Sequence, residues 1–308
     1  MEDNKSQRQL PHALVTGASG MLGGYVCRLL NGDFHIDTLG RAASNTISCD
    51  LTAAIPELGG RTYDLVVHCA GSEDDAHADL NSTGTQNLLA ALSGNPPRRL
   101  VYVSSASVYG EEGENLDEAT VPAPASPAAR AKEKGEREAA RWAAQCDTLL
   151  TIVRPARMFG NGVAGETLRI FNDALSGSFI HIRGNDARTS IVCALDVARA
   201  IIAVSHTGGT FNLADGRNPR FIDMVQAMTA NAGREQRITT LPAAWAGWLW
   251  RICRLIPAID RNLSPAVAAR RMKSLTINQT KAAEAGITFH NTIEVIARRD
   301  PDYPYDRI

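Results

Sequence analysis

A glycine-rich turn near the start of the chain limits the possible folds more than any other feature. It reads Thr16-Gly17-Ala18-Ser19-Gly20-Met21-Leu22-Gly23, between an apolar run at 12–16 and a segment of helical periodicity at 21–30. In a strand-turn-helix context the three glycines permit a tight turn, approach of backbone amides to a pyrophosphate, and close helix–sheet packing. The helix N-terminus favours the anion. The pattern predicts a dinucleotide site that includes Gly17, Ser19, Gly20, Met21, Leu22 and Gly23.

The rest of the first half alternates between short apolar runs and helical segments. Strands are predicted at 34–39, 64–69, 100–103 and 149–153, and helices at 80–92 and 127–146. This alternation is typical of a doubly wound α/β fold with a parallel sheet. The second half is less regular, with a helix predicted at 196–205, a strand at 210–213 and mainly helices from Phe221 onward.

Composition excludes several classes of protein. The 308 residues carry 32 Lys and Arg against 33 Asp and Glu, a net charge of −1, which gives no electrostatic footprint for nucleic acid. The six cysteines are at least 20 positions apart, so no spacing typical of a metal site exists, and free thiols indicate a reducing compartment. The sequence shows no secretory signal and no membrane span, so we expect a cytoplasmic location.

Further motifs follow the turn at ordered positions. They are Asp50-Leu51, His68-Cys69-Ala70-Gly71, Asn81 with Gly84-Thr85-Gln86-Asn87-Leu88-Leu89, Val103-Ser104-Ser105-Ala106-Ser107-Val108-Tyr109-Gly110, Arg154-Pro155 with Phe159-Gly160, and Arg188 to Asp196. Together with the glycine turn, they make the chain resemble the extended short-chain dehydrogenase/reductase family, in its NAD-dependent epimerase/dehydratase group. The resemblance covers nearly the whole chain.

The resemblance implies a discontinuous domain arrangement. A dinucleotide-binding domain of Rossmann type would comprise residues 1–158 with about 188–213. A smaller, mainly helical substrate-binding domain would comprise 159–187 and 214–308. Because ligands of such sheets bind beyond the carboxyl ends of the strands, we expect the glycine turn, Ser105 and the start of the long helix around one cleft.

The resemblance also assigns roles to residues. Asp50 would take the adenine amino group, and Ser105 would donate to a substrate carbonyl. Arg188 is a candidate for a substrate phosphate, or a surface arginine at a strand edge. The remaining expected cofactor contacts are Leu51, Cys69, Ala70, Gly71, Asn81 and Pro155. His68 is expected to be structural, and no metal ligands are expected.

One family motif is incomplete. The family's catalytic pair is Tyr-x-x-x-Lys on the long helix, and no such pair occurs in the chain. Aligning Lys134 and Glu138 with the family's Lys-x-x-x-Glu places Arg130 at the tyrosine position. Arginine stays protonated, so Arg130 does not replace a phenol as an acid or base. Lys134 would still hold the nicotinamide ribose, and the proton would come from Lys134, from water or from another residue.

Two functions remain open. The first is an NAD(P)-dependent oxidoreductase or epimerase acting on a sugar nucleotide or a related carbonyl or alcohol. The second is a non-catalytic NAD(P)-binding protein, a sensor or assembly partner. Arg41 follows the second predicted strand, where a cation suits the 2′-phosphate of NADP, so NADP is preferred over NAD. A small-molecule substrate and a homodimer are the expected partners.

An apolar helical face is predicted near the C-terminal end. Trp245, Trp248, Leu249, Ile252 and Ile256 recur at helical spacing. We expect this helix to pack within the substrate-binding domain, and the alternative is an interfacial helix lying on a membrane.

Overall fold

A seven-stranded sheet organises the chain. The computed structural model describes residues 10–160, 162, 165–177, 179–230, 238–242 and 270–292. In chain order the strands of this sheet are β1 (His12–Thr16), β2 (His35–Gly40), β3 (Ile47–Ser48), β4 (Leu65–His68), β5 (Arg99–Val103), β7 (Leu149–Pro155) and β11 (Gly209–Leu213). Their spatial order is β11-β7-β5-β4-β1-β2-β3. The pairings from β3 across to β7 are parallel, which confirms the predicted doubly wound fold.

Burial on both faces explains the composition of the central strands. Leu14 and Val15 of β1, and Val66 and Val67 of β4, have no exposed surface. A parallel strand covered by helices on both sides is a continuous apolar run rather than an alternating one. The switch in strand order lies between β1 and β4, and the loops that follow these two strands therefore adjoin the crevice where such folds bind ligands.

Three helices complete this part of the fold. They are α1 (Met21–Leu30), α2 (Asp79–Leu92) and α3 (Pro127–Cys146). The side chains of Leu22, Tyr25, Val26 and Leu30 place one face of α1 in the core. On α3 the buried residues recur at helical spacing, at Ala128, Ala129, Lys132, Gly135, Glu136, Ala139 and Ala143. The lysine and the glutamate lie in phase with the alanines and share their burial.

The remaining elements are shorter. In chain order they are β6 (Gly113–Leu116), β8 (Arg157–Phe159), α4 (Gly165–Ser176), β9 (Ile180–Ile182), β10 (Ile191–Cys193), α5 (Ala194–Val204), α6 (Phe221–Ala230), β12 (Thr239–Leu241), β13 (Leu275–Ile277) and a short helix at Thr280–Glu284. Three two-stranded parallel pairs form among them, β8 with β10, β9 with β12 and β6 with β13. No sequence pattern predicted these pairs, because strands of three or four residues show no readable periodicity.

The chain divides into two compact units. The first unit contains the residues up to Ser104, then Ala131–Val153 and Ala198–Thr210; the second contains Ser105–Arg130, Arg154–Val197 and the chain from Phe211 onward. Both units are discontinuous. The domain boundaries expected from the sequence stay a prediction.

Several expectations concern surfaces and cysteines. No helix of the described residues has the length and apolar character to cross a membrane. The five cysteines in the described part of the chain, Cys27, Cys49, Cys69, Cys146 and Cys193, are free thiols. The predicted apolar helix from Trp245 to Ile256 lies outside the described residues.

Candidate functional site

The glycine turn has the geometry that its sequence predicts. Gly17 adopts φ +67°, and its amide donates to the carbonyl of Leu39 at 3.0 Å, joining the turn to β2. A Cβ on Gly17 would lie 2.8 Å from the Ala70 nitrogen, and a Cβ on Gly23 would collide with the Gly17 carbonyl. The turn is thus closed by backbone on two sides. Gly20 precedes the first residue of α1, so the exposed N-terminus of that helix is available to an anion.

A chain of hydrogen bonds connects this turn to α2 through His68. The Ala70 amide donates to Thr16 Oγ1 at 3.0 Å, and Thr16 Oγ1 lies 2.7 Å from His68 Nδ1. His68 Nε2 lies 3.1 Å from Thr85 Oγ1, which donates to the Asn81 carbonyl at 2.9 Å. The Thr85 hydroxyl uses its hydrogen to donate to Asn81, so it accepts a hydrogen bond from Nε2–H of His68. The other nitrogen of His68, Nδ1, then accepts from the Thr16 hydroxyl. We call Thr16, His68 and Thr85 the His68 relay.

The His68 relay is uncharged. Burial, together with the positive charge of Lys132, lowers the pKa of His68 to about 3. The neutral imidazole has one donor and one acceptor, and the relay uses both. The structure therefore supports the expectation that His68 is structural: it fixes the loop after β4 against the glycine turn.

Lys132 of α3 lies at the centre of the site, although the sequence analysis did not select it. Its side chain is buried, and Nζ donates to the carbonyl of Val103, the last residue of β5, at 3.2 Å. A Cβ on Gly71 would lie 2.7 Å from Lys132 Nζ and 2.9 Å from Asn81 Oδ1. Position 71 is a glycine because the ammonium and the amide border it. Asn81 is held by Ser72, whose amide and carbonyl pair with the Asn81 side chain at 2.8 and 2.7 Å.

Burial shifts the ionisation of the groups around this lysine. It lowers the pKa of Lys132, while the negative charges of Glu73 and Glu136 act in the opposite direction. Burial also raises the pKa of the Cys69 thiol, so Cys69 is protonated at neutral pH. In the described part of the chain the ammonium makes a single hydrogen bond, to Val103, and an ammonium carries three donors. Two donors therefore remain for a ligand.

The two residues of α3 that the sequence analysis selected lie elsewhere on the helix. Arg130 is exposed, and its guanidinium donates to the Ala125 carbonyl at 2.6 Å. Lys134 is half-exposed and forms a surface ion pair with Glu138 at 3.8 Å. Neither shares the buried face of Lys132. The structure thus brings together the glycine turn, Cys69, Ala70, Gly71 and Asn81, but with Lys132 rather than Lys134.

The selected residues around β2 and β3 are on the surface, with one exception. Arg41 is exposed directly after β2, and Asp50 is exposed after β3. Hydrogen bonds from Thr52, and the nearby charge of Arg41, hold the pKa of Asp50 below its ordinary value despite a small opposing effect of burial. Leu51 is buried in the core, and its carbonyl accepts from the side chain of Asn87 at 2.7 Å.

Asp37 is already engaged within β2. It accepts from the Tyr63 hydroxyl at 3.0 Å and pairs with Arg61 at 3.6 Å. Burial and this carboxylate raise the pKa of Tyr63 to about 12. Asp37 is thus committed to Tyr63 and Arg61, and β2 ends in Gly40 with no acidic side chain at its carboxyl end.

The other selected residues belong to the second unit. Ser105 caps a 3₁₀ turn at Ala106–Tyr109, and its Oγ accepts from the amide and the hydroxyl of Ser107 at 3.2 and 2.9 Å. Pro155 is buried at the end of β7. Arg188 is exposed, and its guanidinium donates to the Asn218 carbonyl at 3.0 Å. In the described residues no group of His, Cys, Asp and Glu side chains is arranged to hold a metal ion.

The sequence did contain a pattern that indicates the burial of Lys132. Two Lys-x-x-x-Glu pairs occur on α3, Lys132 with Glu136 and Lys134 with Glu138. Only the first is in phase with the buried alanines at 128, 139 and 143. Helical phase, applied to the charged residues as well as the apolar ones, selects Lys132.

The fold and the glycine turn define a Rossmann-type protein with its turn at the switch point of the sheet. A family model described as the NAD dependent epimerase/dehydratase family matches residues 13–214. The chain belongs to that family. Membership confirms the resemblance drawn from the ordered motifs.

Individual relatives are more distant. N-acetyl-alpha-D-glucosaminyl-diphospho-ditrans,octacis-undecaprenol 4-epimerase of Escherichia coli O157:H7 is 28% identical over 187 residues, 56% of this chain and 56% of that protein. The match thus spans little more than half of the curated relative. UDP-glucose 4-epimerase of Thermotoga maritima, solved with UDP-glucose, has a TM-score of 0.70 at 19% identity, over 93% of this chain and 97% of that one.

A second solved structure is similar to the same extent. RMD from Pseudomonas aeruginosa, solved with NADPH, has a TM-score of 0.68 at 20% identity, over 94% of this chain and 97% of that one. These structural likenesses show the fold.

Proposed function

We propose that the first unit binds NADP or NAD and that the protein is an oxidoreductase or epimerase of a diphosphate-linked sugar. The observation that carries the proposal is the buried Lys132 ammonium at the carboxyl ends of β4 and β5, beside a closed glycine turn. A bound nicotinamide would supply reversible hydride exchange at a carbon of the sugar.

The residues of the first unit fit a dinucleotide. Gly17, Gly20 and Gly23 keep side chains away from the turn, and the N-terminus of α1 faces the same place as an anion site. Asp50 offers an exposed carboxylate for the adenine amino group. Lys132 has two N–H donors without a partner in the described residues, and it would hold the nicotinamide ribose in place of Lys134.

This arrangement changes which residue occupies the family's tyrosine position. If Lys132 is the lysine of Tyr-x-x-x-Lys, the tyrosine position is Ala128, which is buried one turn earlier on α3. The register with Arg130 and Lys134 places both residues on the exposed face. We favour the register of Ala128 and Lys132, because a residue that holds a cofactor inside the fold must point inward. In either register the phenol is missing.

We further propose a preference for NADP over NAD. A ribose with free hydroxyls is commonly held by an acidic residue at the end of the second strand. Here that strand ends in Gly40, and Asp37 is engaged with Tyr63 and Arg61. Arg41 is exposed at the same end and suits a 2′-phosphate through charge-assisted hydrogen bonds.

The names of the relatives support the substrate class. N-acetylglucosaminyl-diphospho-undecaprenol and UDP-glucose both carry a sugar on a diphosphate. In this chain, Ser105 would donate to the oxygen of the reacting carbon, and Arg188 would hold a phosphate. Both are proposals drawn from the family resemblance.

A non-catalytic NAD(P)-binding protein is the second candidate, and Ala128 is the observation that favours it. Loss of a positioned acid or base typically lowers a rate by about 10²–10⁴-fold. The two candidates differ in one measurement: interconversion or reduction of UDP-glucose and UDP-N-acetylglucosamine by the purified protein with NADP or NAD present. Turnover supports the enzyme, and cofactor binding without turnover supports the second candidate.

Calorimetric titration with NADP and NAD tests the binding site. Gly20→Val should abolish binding of both, because the side chain would enter the pyrophosphate position and lie close to the Gly17 carbonyl, 3.2 Å from its Cβ. Gly24→Ala is the matched control on the same helix, since its Cβ would make only an ordinary contact with the Ala18 carbonyl at 3.5 Å. Unchanged affinity in Gly20→Val would refute the site.

Arg41→Ala tests the cofactor preference. Loss of a charge-assisted contact should weaken NADP binding by roughly 10-fold and leave NAD binding nearly unchanged. Equal losses for both cofactors, or a parent protein that prefers NAD, would overturn the preference while leaving the site itself intact.

A further inference from the structure

We propose that Lys132 is itself the acid–base group of the reaction. It would replace the tyrosine that is missing from the Tyr-x-x-x-Lys motif. The inference rests on the proposed function, because it requires a nicotinamide dinucleotide in the first unit. Three structural facts carry it: the place of the ammonium, the absence of a competing phenol among the described residues, and the small residue Ala128 one turn earlier on α3.

The place of the ammonium is suited to proton transfer. Nζ is anchored to the Val103 carbonyl, at the end of β5, and it borders Gly71, at the end of β4. Ligands in this type of sheet bind beyond these strand ends. The side chain is buried, so its pKa departs from the value that it has in water. Within the described residues, two of its three N–H donors make no hydrogen bond.

No tyrosine of the described chain is placed to do this work. The Tyr102 hydroxyl donates toward the carbonyl of Lys132 itself, and burial raises its pKa. The Tyr109 hydroxyl lies between Arg154 and Asn212, at 2.9 and 2.8 Å. The Tyr63 hydroxyl is spent on Asp37, and Tyr25 lies in the core of α1.

The groups around Lys132 include uncharged ones, which do not hold it as an ammonium. His68 of β4 carries no charge, and the Cys69 thiol is protonated. Glu73, in the loop after β4, and Glu136, one turn further on α3, are the carboxylates that favour the ammonium. Burial outweighs them and lowers the pKa of Lys132, which moves the amine toward the range where an acid–base group works at neutral pH.

The proposed proton transfer accompanies hydride transfer to the nicotinamide cofactor, and together they account for all atoms and electrons. When a secondary alcohol of the sugar is oxidised, the neutral amine of Lys132 takes the hydroxyl proton and becomes an ammonium. The O–H electron pair forms the C=O bond, and the hydrogen on carbon departs as hydride to the nicotinamide. In the reverse direction the ammonium returns the proton to the oxygen as hydride returns to carbon.

The experiment compares Lys132→Arg with the parent. Arginine keeps the positive charge but does not release its proton. NADP affinity by calorimetry should stay within about threefold, while kcat on UDP-glucose or UDP-N-acetylglucosamine should fall by at least about 10²-fold. Lys273→Arg is the matched control, the same exchange at a partly exposed lysine of the second unit, and should leave kcat unchanged.

Two further measurements extend the test, and the first of them does not depend on how an arginine packs at position 132. Competitive labelling of lysine amines across pH, followed by mass spectrometry, should give Lys132 a lower titration midpoint than the exposed lysines. In the Lys132→Arg background, Ala128→Tyr should recover part of the lost kcat, because it supplies a phenol one turn from the cation.

The outcomes separate this inference from the function on which it rests. A parent that binds neither NADP nor NAD refutes both. A parent that binds cofactor and converts a UDP-sugar, while Lys132→Arg retains its kcat and pH profile, overturns the inference alone. An ordinary labelling midpoint for Lys132, or cofactor binding without turnover, overturns it as well.

Discussion

The two units of the molecule bury polar groups in opposite ways. In the first unit, the His68 relay pairs both nitrogens of a buried imidazole with uncharged hydroxyl groups. In the second, the carboxylate of Glu166 is held between the guanidinium groups of Arg157 at 3.1 Å and Arg270 at 2.6 Å. Burial alone would raise the pKa of Glu166, but the two arginines lower it to about 2.

The neutral relay and the charged cluster serve different purposes. An ion cluster of this kind ties three side chains in one geometry, and Arg271 extends it through an ion pair with Asp173 at 3.8 Å. The neutral relay in the first unit fixes the loop after β4 without adding charge near Lys132. Lys132 therefore has uncharged neighbours in His68 and Cys69, and Glu73 and Glu136 are the carboxylates whose charge favours its ammonium form. The paired charges around Glu166 hold side chains of the protein to one another. The Lys132 ammonium, with a single hydrogen bond in the described residues, has donors that can bind a ligand.

The largest effect is expected from breaking the charge cluster of the second unit. Glu166→Gln would leave the guanidinium groups of Arg157 and Arg270 without their counter-ion. Breaking a buried pair costs about 3–5 kcal/mol, and the partial exposure of both arginines reduces this to roughly 2–3 kcal/mol. Denaturant unfolding measures the change, with Glu112→Gln as control because its carboxylate is exposed and pairs with Lys273 at 3.9 Å. Equal changes in the two variants would contradict the distinction.

The next effect is the acid sensitivity that His68 contributes in the first unit. Since the pKa of His68 is about 3 in the folded protein and near 6.5 when unfolded, the unfolded chain binds a proton that the folded chain excludes. Stability is complete above pH 6.5 and falls as pH drops toward 3, at roughly 1.4 kcal/mol per pH unit at most. Glu166, with a folded pKa of about 2, adds its own loss only below its unfolded value of 4.5.

Unfolding measured between pH 6.5 and 4.5 therefore isolates the histidine effect from that of Glu166. A His68→Gln variant should be less stable at pH 7 and lose less stability on acidification. A variant with the same pH slope as the parent would show that His68 is not the group that senses acid.

A smaller effect is expected from cutting the relay at one hydroxyl. Thr85→Val keeps the shape of the side chain but leaves His68 Nε2–H and the Asn81 carbonyl without that partner. An unsatisfied buried group costs about 1–3 kcal/mol, so we expect about 1–2 kcal/mol by thermal unfolding. Thr46→Val is the control, since the Thr38 and Thr46 side chains pair with each other's amides at the surface. A neutral Thr85→Val would mean that the relay does not contribute to stability.

The smallest effect is expected at Lys134. Its pair with Glu138 is an i, i+4 pair at the surface, and such pairs contribute about 0.3–0.5 kcal/mol. Lys134→Met should thus change stability by no more than that and should keep NADP affinity, whereas Lys132→Met should lose NADP affinity. A strong loss of affinity in Lys134→Met would restore the register with Arg130 at the tyrosine position.

Much of the first unit was readable from local pattern. The predicted bounds of β1, α1 and α3 agree with the structure, and β2, β4, β5 and β7 differ by a few residues at their ends. The reason is that strands buried on both faces and amphipathic helices leave strong periodic patterns. The second unit was read poorly because its strands are of three to five residues and pair across long separations in sequence.

The sequence by itself determined the glycine turn, the parallel sheet and the missing Tyr-x-x-x-Lys, since each depends on residue identity at fixed spacing. Only the tertiary structure decided which of the two lysines is buried beside the loop after β4. Lys132 and Lys134 are two residues apart on one helix, which turns their side chains about 200° from each other. One therefore points into the fold, where burial lowers its pKa, and the other points to solvent, where Glu138 pairs with it.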